Sequence, residues 1–200
     1  MSRISKLTLA LAVLVVFGLG APAAKADVCT VAGNLVANCG FETGTFTGWT
    51  QSGNTGFTAV VAGSAHSGAF GATFGPVGSL GFITQNLVTV PGATYDLSFW
   101  LRNAAGTPNQ FTASFNGVAL TTLTNSAAFG YTLFTFNGLL ATTTSTQLQF
   151  GFRHDPSFWD FDDVIVVRSQ GPAVPEPMTL VLLGTGLAGV AAKLRRRKVA

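Results

Sequence analysis

Thr94–Asn103 reads TYDLSFWLRN, and its two faces differ at every step. Tyr95, Leu97, Phe99 and Leu101 fall on one side, and Asp96, Ser98, Trp100 and Arg102 on the other. Successive side chains of an extended chain point to opposite faces, so a strict period of two marks a half-buried β-strand. The same period recurs outward from this stretch. Phe111–Ala119 sets Phe111, Ala113 and Phe115 against Thr112, Ser114 and Asn116. Gln147–Arg153 sets Leu148, Phe150 and Phe152 against Gln147, Gln149, Gly151 and Arg153, and Trp159–Arg168 is a strongly apolar closing strand. Turn signals stand at Ser52-Gly53-Asn54, Pro91-Gly92, Ala105-Gly106 and Asn116-Gly117, the last of which offers to shorten the strand from Phe111 and start a hairpin. No ten-residue window carries a helical period, and no repeat recurs at a fixed spacing. Short strands, frequent turns and no helix predict an all-β fold, an antiparallel β-sandwich of the jelly-roll kind.

The chain of 200 residues suffices for one such domain with a signal at each end. Its charged fraction is 10%, against about 25% in an ordinary soluble protein, and its mean hydropathy is +0.44. The isoelectric point near 9.2 suggests a basic protein, but the bases sit at the ends. Between Asp27 and Ala173 stand Arg102, Arg153 and Arg168, no Lys, and seven acids, so this body carries about −4. A nucleic-acid partner is excluded on that distribution. The body is rich in strand formers, with 22 Thr and 16 Phe.

The N-terminus has Arg3 and Lys6, an uncharged run from Leu7 to Gly20, and small residues at Ala24 and Ala26. This is the pattern of a signal peptide over residues 1–26, with cleavage after Ala26 or, also chemically open, after Ala23. At the other end, an apolar stretch from Met178 to Ala192 precedes a basic tail at 193–200 with Arg195, Arg196 and Arg197. Its fifteen residues span about 23 Å as a helix, short of a ~30 Å hydrocarbon core. The basic end stays cytoplasmic, placing the body beyond the inner membrane. Val174-Pro175-Glu176-Pro177, then the apolar helix, then the arginines, resembles the PEP-CTERM sorting signal of Gram-negative bacteria. That resemblance implies transient anchoring in the inner membrane, processing by exosortase, and delivery to the cell surface or the exopolysaccharide matrix. The domain division expected is therefore signal peptide 1–26, β-sandwich 27–173 and sorting signal 174–200.

Within the body, Asn34–Gly44 (NLVANCGFETG) with Phe46-Thr47-Gly48-Trp49, then Ala65-His66-Ser67-Gly68, and finally Phe161-Asp162-Asp163-Val164 resemble stations of jelly-roll carbohydrate-binding modules and galactose-binding-like domains. The resemblance supports the fold more than any one sugar.

Cys29 and Cys39 are the only cysteines of an exported domain, and a disulfide is the expected state. Glu42, Asp162 and Asp163 are the candidate metal ligands. Asp162 and Asp163 are adjacent in an apolar strand, so alternation sends one of them inward, where a carboxylate needs a partner. The resemblance implies that Glu42 meets Asp162 or Asp163 at a structural calcium site. The other reading is that these acids cap turns or pair with Arg153 and Arg168. Trp100, Arg102, Ser114, Asn116, Gln149 and Arg153 lie on the non-Phe faces of three strands. If those strands share one sheet, they form a polar surface with an exposed Trp, on which a sugar ring stacks while polar side chains take its hydroxyls. Otherwise Trp100 lies under a loop. Trp49 and Trp159 are expected in the core. No catalytic residue is expected: His66 and His154 lack a nucleophile motif, and a short sandwich offers no deep cleft. The sequence thus describes an exported, exosortase-sorted, non-catalytic protein that associates with extracellular polysaccharide. A structural surface protein without a glycan site and a glycan-active enzyme are the alternatives.

Overall fold

The computed structural model describes residues 28–170. The signal peptide at 1–26 and the sorting residues Pro175, Glu176, Pro177, Arg195, Arg196 and Arg197 lie outside the described residues. Ten strands run in chain order: β1 (Thr50–Gly53), β2 (Thr58–Val61), β3 (Gly71–Phe74), β4 (Gly81–Val88), β5 (Thr94–Asn103), β6 (Asn109–Phe115), β7 (Val118–Thr124), β8 (Phe129–Leu140), β9 (Ser145–His154) and β10 (Trp159–Arg168). Helix among the described residues is limited to single 3₁₀ turns at Val28–Thr30 and Ala62–Ser64.

The strands form two five-stranded antiparallel sheets, a first in the order β1-β4-β9-β6-β7 and a second in the order β2-β3-β10-β5-β8. Alternation works as anticipated on β5, where Tyr95, Leu97, Phe99 and Leu101 are buried. Within 111–119 the Asn116-Gly117 turn does shorten the strand and start a hairpin: β6 ends at Phe115, and Asn116 (φ 55°) and Gly117 (φ 75°) turn the chain into β7. Two positive φ values in succession suit the right-handed twist of a hairpin, and Asn-Gly supplies them at little cost.

The core between the sheets is a phenylalanine layer. The Phe161 ring lies 4.6 Å from Phe150, 5.3 Å from Phe99 and 5.4 Å from Phe152. Phe74 stacks on Phe152 at 3.8 Å. Trp159 is fully buried and Trp49 nearly so. Each buried aromatic contributes on the order of 2–3 kcal/mol of transfer free energy, so these rings carry much of the folding energy.

The segment before β1 is fastened to this sandwich. Leu35 N–H donates to Val166 O (2.9 Å), and Gln85 reaches from the inner side of β4 to Ala37 and Gly48. Cys29 and Cys39 form the expected disulfide. Closing so short a loop stabilises by about 3 kcal/mol on the chain-entropy account.

Candidate functional site

The outer face of the first sheet is built by the polar half of each alternation. Register aligns three rows across it. Ser52, Phe82, Gly151, Thr112 and Thr122 share one, and Thr50, Thr84, Gln149, Ser114 and Ala119 the next. Arg153, Gln110 and Thr124 form the third. Phe82 is the one aromatic ring in these rows. It rests on Gly151, where a Cβ would meet its Cε1 at 2.8 Å and the Thr112 hydroxyl at 2.5 Å. A glycine inside a central strand weakens the strand, and its use here is to let that ring settle against the backbone. Around the ring stand hydroxyls and amides, with Gln149 Nε2 donating to Thr84 Oγ1 (3.3 Å). Arg153 grips Asp155 through two bonds of 2.7 Å. That side-chain bonding, with the Gly78 N–H, holds the Asp155 carboxyl down at about 2.

The six residues placed on one polar face by sequence do not share it, which corrects that expectation. Ser114, Gln149 and Arg153 belong to the first sheet, and Asn116 to the turn after β6, where its Nδ2 donates to Thr142 Oγ1 (2.9 Å). Trp100 and Arg102 belong to β5 in the second sheet. The reason is the crossing from β5 to β6, which takes the chain from one sheet to the other. The Trp100 ring is covered as well: His66 stacks on it at 3.9 Å and 17°. Arg102 is paired with Asp160 (2.7 Å) and lies 6.0 Å from the centre of the Tyr131 ring.

The covering segment, residues 62–70, is a strap over the outer face of the second sheet, and acids hold it down. Ser64 Oγ donates to Asp160 (2.7 Å), and the Tyr131 hydroxyl donates to Ser64 O. Burial, then Asp160, raises the Tyr131 phenol above its ordinary value, so it stays a donor. Asp162 Oδ2 accepts the His66 and Ser67 N–H groups (2.7 and 3.2 Å). Asp163 accepts the Ser67 hydroxyl (2.6 Å) and meets His66 Nδ1 at 2.6 Å. Glu42 accepts the Ala69 and Phe70 N–H groups at 2.9–3.1 Å.

Neither adjacent aspartate joins the phenylalanine core. A register shift between Asp162 and Ile165, with Asp163 at φ 55°, breaks the alternation and lets both reach the strap. Burial and the neighbouring Asp163 push Asp162 up to about 8. The three candidate metal ligands thus converge on one segment. Among the described residues, no three His, Cys, Asp or Glu side chains gather about a single point as a metal site.

A two-sheet sandwich with a broad hydroxyl and amide face around one aromatic ring defines the class of jelly-roll binding domains. The comparisons place this chain more closely. The carbohydrate binding domain CBM_4_9 matches residues 33–166, and the chain belongs to that family. The PEP-CTERM protein-sorting motif matches residues 173–197, so the chain also carries that signal, which implies export and transient anchoring through the C-terminal region. Among solved structures, the chain resembles TmCBM61 in complex with β-1,4-galactotriose, at 21% identity and a TM-score of 0.56 over 68% of this chain and 99% of that one. It also resembles a xylan-binding domain of module family 22, at 14% identity and a TM-score of 0.52 over 70% and 99%. The enzymatically active domain of bacteriophage CBA120 tailspike protein 4 matches at 17% identity and a TM-score of 0.54, over 68% of this chain and 22% of that one. At these identities the likenesses show the fold. No curated protein sequence matches the chain.

Phe82, Gln110 and Thr84 escaped the sequence reading, and Thr112 was placed on a polar face without being taken as a site residue. The signal for Phe82 was present in two parts: the alternation of GFITQNLV over Gly81–Val88, and the solitary glycine at 151.

Proposed function

We propose that this is an exported module that holds polysaccharide, without turning it over, on the outer face of its first sheet. It is delivered to the surface or extracellular matrix of a Gram-negative cell after exosortase processing. The observation that carries the reading is Phe82, a ring seated on Gly151 amid side chains that both donate and accept hydrogen bonds. The C–H face of a pyranose stacks on such a ring, and its hydroxyls exchange water for Gln110, Thr112, Ser114 and Gln149. The only cation in these rows is neutralised by Asp155, which favours an uncharged sugar. His154 is buried with Nε2 near Ala104 O, and the His66 ring is stacked on Trp100 with its Nδ1 held by Asp163, both away from the outer face of the first sheet.

The test is binding of the exported protein to exopolysaccharide purified from the producing cells, with β-1,4-galactotriose and xylohexaose as defined probes. Saturable binding is expected to the exopolysaccharide, and Phe82→Ala should weaken it about tenfold, the equivalent of roughly 1.4 kcal/mol, with an unchanged melt. Equal binding by this variant removes the sheet face from consideration. No binding by the parent leaves a structural surface protein.

Calcium, implied by the family resemblance for Glu42 with Asp162 or Asp163, is a second proposal. Glu42, Asp162 and Asp163 are the oxygen donors a hard cation takes, and they reach the strap at separate points, so an ion would have to draw them together. Further ligands would come from backbone carbonyls and water. An ion bound at a hundred times its Kd adds about 2.7 kcal/mol, or roughly 5–10 °C. A chelator is therefore expected to lower the melting temperature by that amount. An unchanged melt means that the strap's N–H and O–H donors satisfy these acids alone.

A further inference from the structure

At the end of the first sheet where Arg153 emerges, the loops at 54–57, 75–80 and 155–158 enclose a pocket of about 190 Å³. Two phenylalanines flank it, and both are exposed, Phe57 by 69% and Phe158 by 40%. Phe57 is held at φ 54°, a left-handed conformation uncommon for a bulky residue, while its carbonyl accepts the Gly75 N–H (2.8 Å). Phe158 is seated as Phe82 is: a Cβ at Gly75 would meet its ring at 2.7 Å. The charged group at the pocket is the Asp155 carboxylate, fixed by Arg153 and by the Gly78 N–H (3.0 Å), with Ser157 beside it in the lining.

The loops are tied to one another. Asn54 Nδ2 donates to Val77 O (2.8 Å), and His154 N–H to Pro76 O (3.0 Å). The pocket therefore exists before any ligand arrives. Its volume is below the roughly 300–1,000 Å³ of pockets for drug-sized molecules and suits a single sugar ring. Exposed aromatic rings beside a fixed acceptor match the apolar C–H faces and hydroxyl groups of an uncharged pyranose. The Arg153–Asp155 pair is neutral as a whole and offers an anion no free cation, and its polarity opposes an acyl chain in the same place.

Arg153 joins this pocket to the sheet face, since it stands in the row with Gln110 and bonds Asp155 at the pocket. We infer that the pocket between Phe57 and Phe158 is a terminal subsite, taking the end residue of an uncharged glycan whose next residues cross the face at Phe82. This inference rests on the sheet-face reading above.

The test uses the exported protein and exopolysaccharide from the producing cells, intact and after partial acid hydrolysis to oligosaccharides. The variant Phe57→Ala/Phe158→Ala is expected to lose about tenfold in affinity for the oligosaccharides, and to keep its affinity for the long polymer within about twofold, because chain interiors need only the sheet face. Phe82→Ala should lose affinity for both. Monosaccharides from complete hydrolysis should displace the oligosaccharides from the parent and fail to do so from the double variant. An unchanged melt shows that the variants are folded, as expected for exposed rings. If the double variant binds oligosaccharides like the parent while Phe82→Ala loses them, the terminal subsite is overturned and the sheet face stands. If the parent binds and neither variant differs from it, or if the parent binds nothing, both readings fall.

Discussion

Gly151→Val is expected to abolish saturable binding of polysaccharide while leaving the protein folded. The position is in β9, the middle strand of the first sheet, and its missing side chain would point outward. A Cβ there meets the Phe82 ring at 2.8 Å and the Thr112 hydroxyl at 2.5 Å, closer than a Cβ comes to any non-bonded neighbour. The ring must leave its seat, and the platform on which a pyranose would stack is lost. What moves is side chain on the solvent face, so the phenylalanine core beneath is untouched. Valine itself suits a strand. Titration with the producing cells' exopolysaccharide, alongside thermal melting, decides the matter. Undiminished binding in a variant that melts like the parent would show that Phe82 is not the platform. Gly151→Ala is the milder companion and should weaken binding less, since alanine adds only the Cβ.

Phe161→Ala is expected to cost about 3–5 kcal/mol, the range for removing a fully buried aromatic ring. Against the 5–15 kcal/mol that typically hold a domain together, this is a large share. The melting temperature should fall by roughly 10–15 °C. Phe161 is the third residue of β10, and its ring lies among those of Phe74 and Phe99 from the second sheet, Phe111, Phe150 and Phe152 from the first, and Phe41 from the segment before β1. Its removal leaves a cavity that neither sheet can close without moving against its own ladder. Equilibrium unfolding in urea measures the cost. A loss below about 1 kcal/mol would mean that the surrounding rings collapse into the space and that the core is softer than its packing indicates.

Much of the fold was legible because strand periodicity is a local property. β5 and β10 begin and end where the alternation of TYDLSFWLRN and the apolar run of WDFDDVIVVR place them. The Cys29–Cys39 bridge follows from there being no other cysteine. The adjacent acids 162 and 163 were recognisably out of place in an apolar strand. Their resolution was not legible, because it takes a bulge at Asp163 and a strap from residues nearly a hundred positions earlier. Phe82 was missed for the opposite reason. In a sequence with 16 phenylalanines in its body, one that faces outward looks like the rest.

The sequence alone determined that the body is all β, that its strands have one apolar and one polar face, and that a sorting motif follows it at 173–197. Hydrophobic periodicity and charge distribution suffice for that. Only the tertiary structure decided which polar faces lie side by side. Alternation records whether a side chain points in or out, but a sandwich has two outsides, and the two look alike in sequence. Pairing of β5 with β8 and β10, and of β9 with β4 and β6, sends Trp100 and Gln149 to opposite surfaces. The strap then lies over the tryptophan and not over the phenylalanine, because backbone and side-chain donors at 64–70 find their carboxylates on β10 and at Glu42.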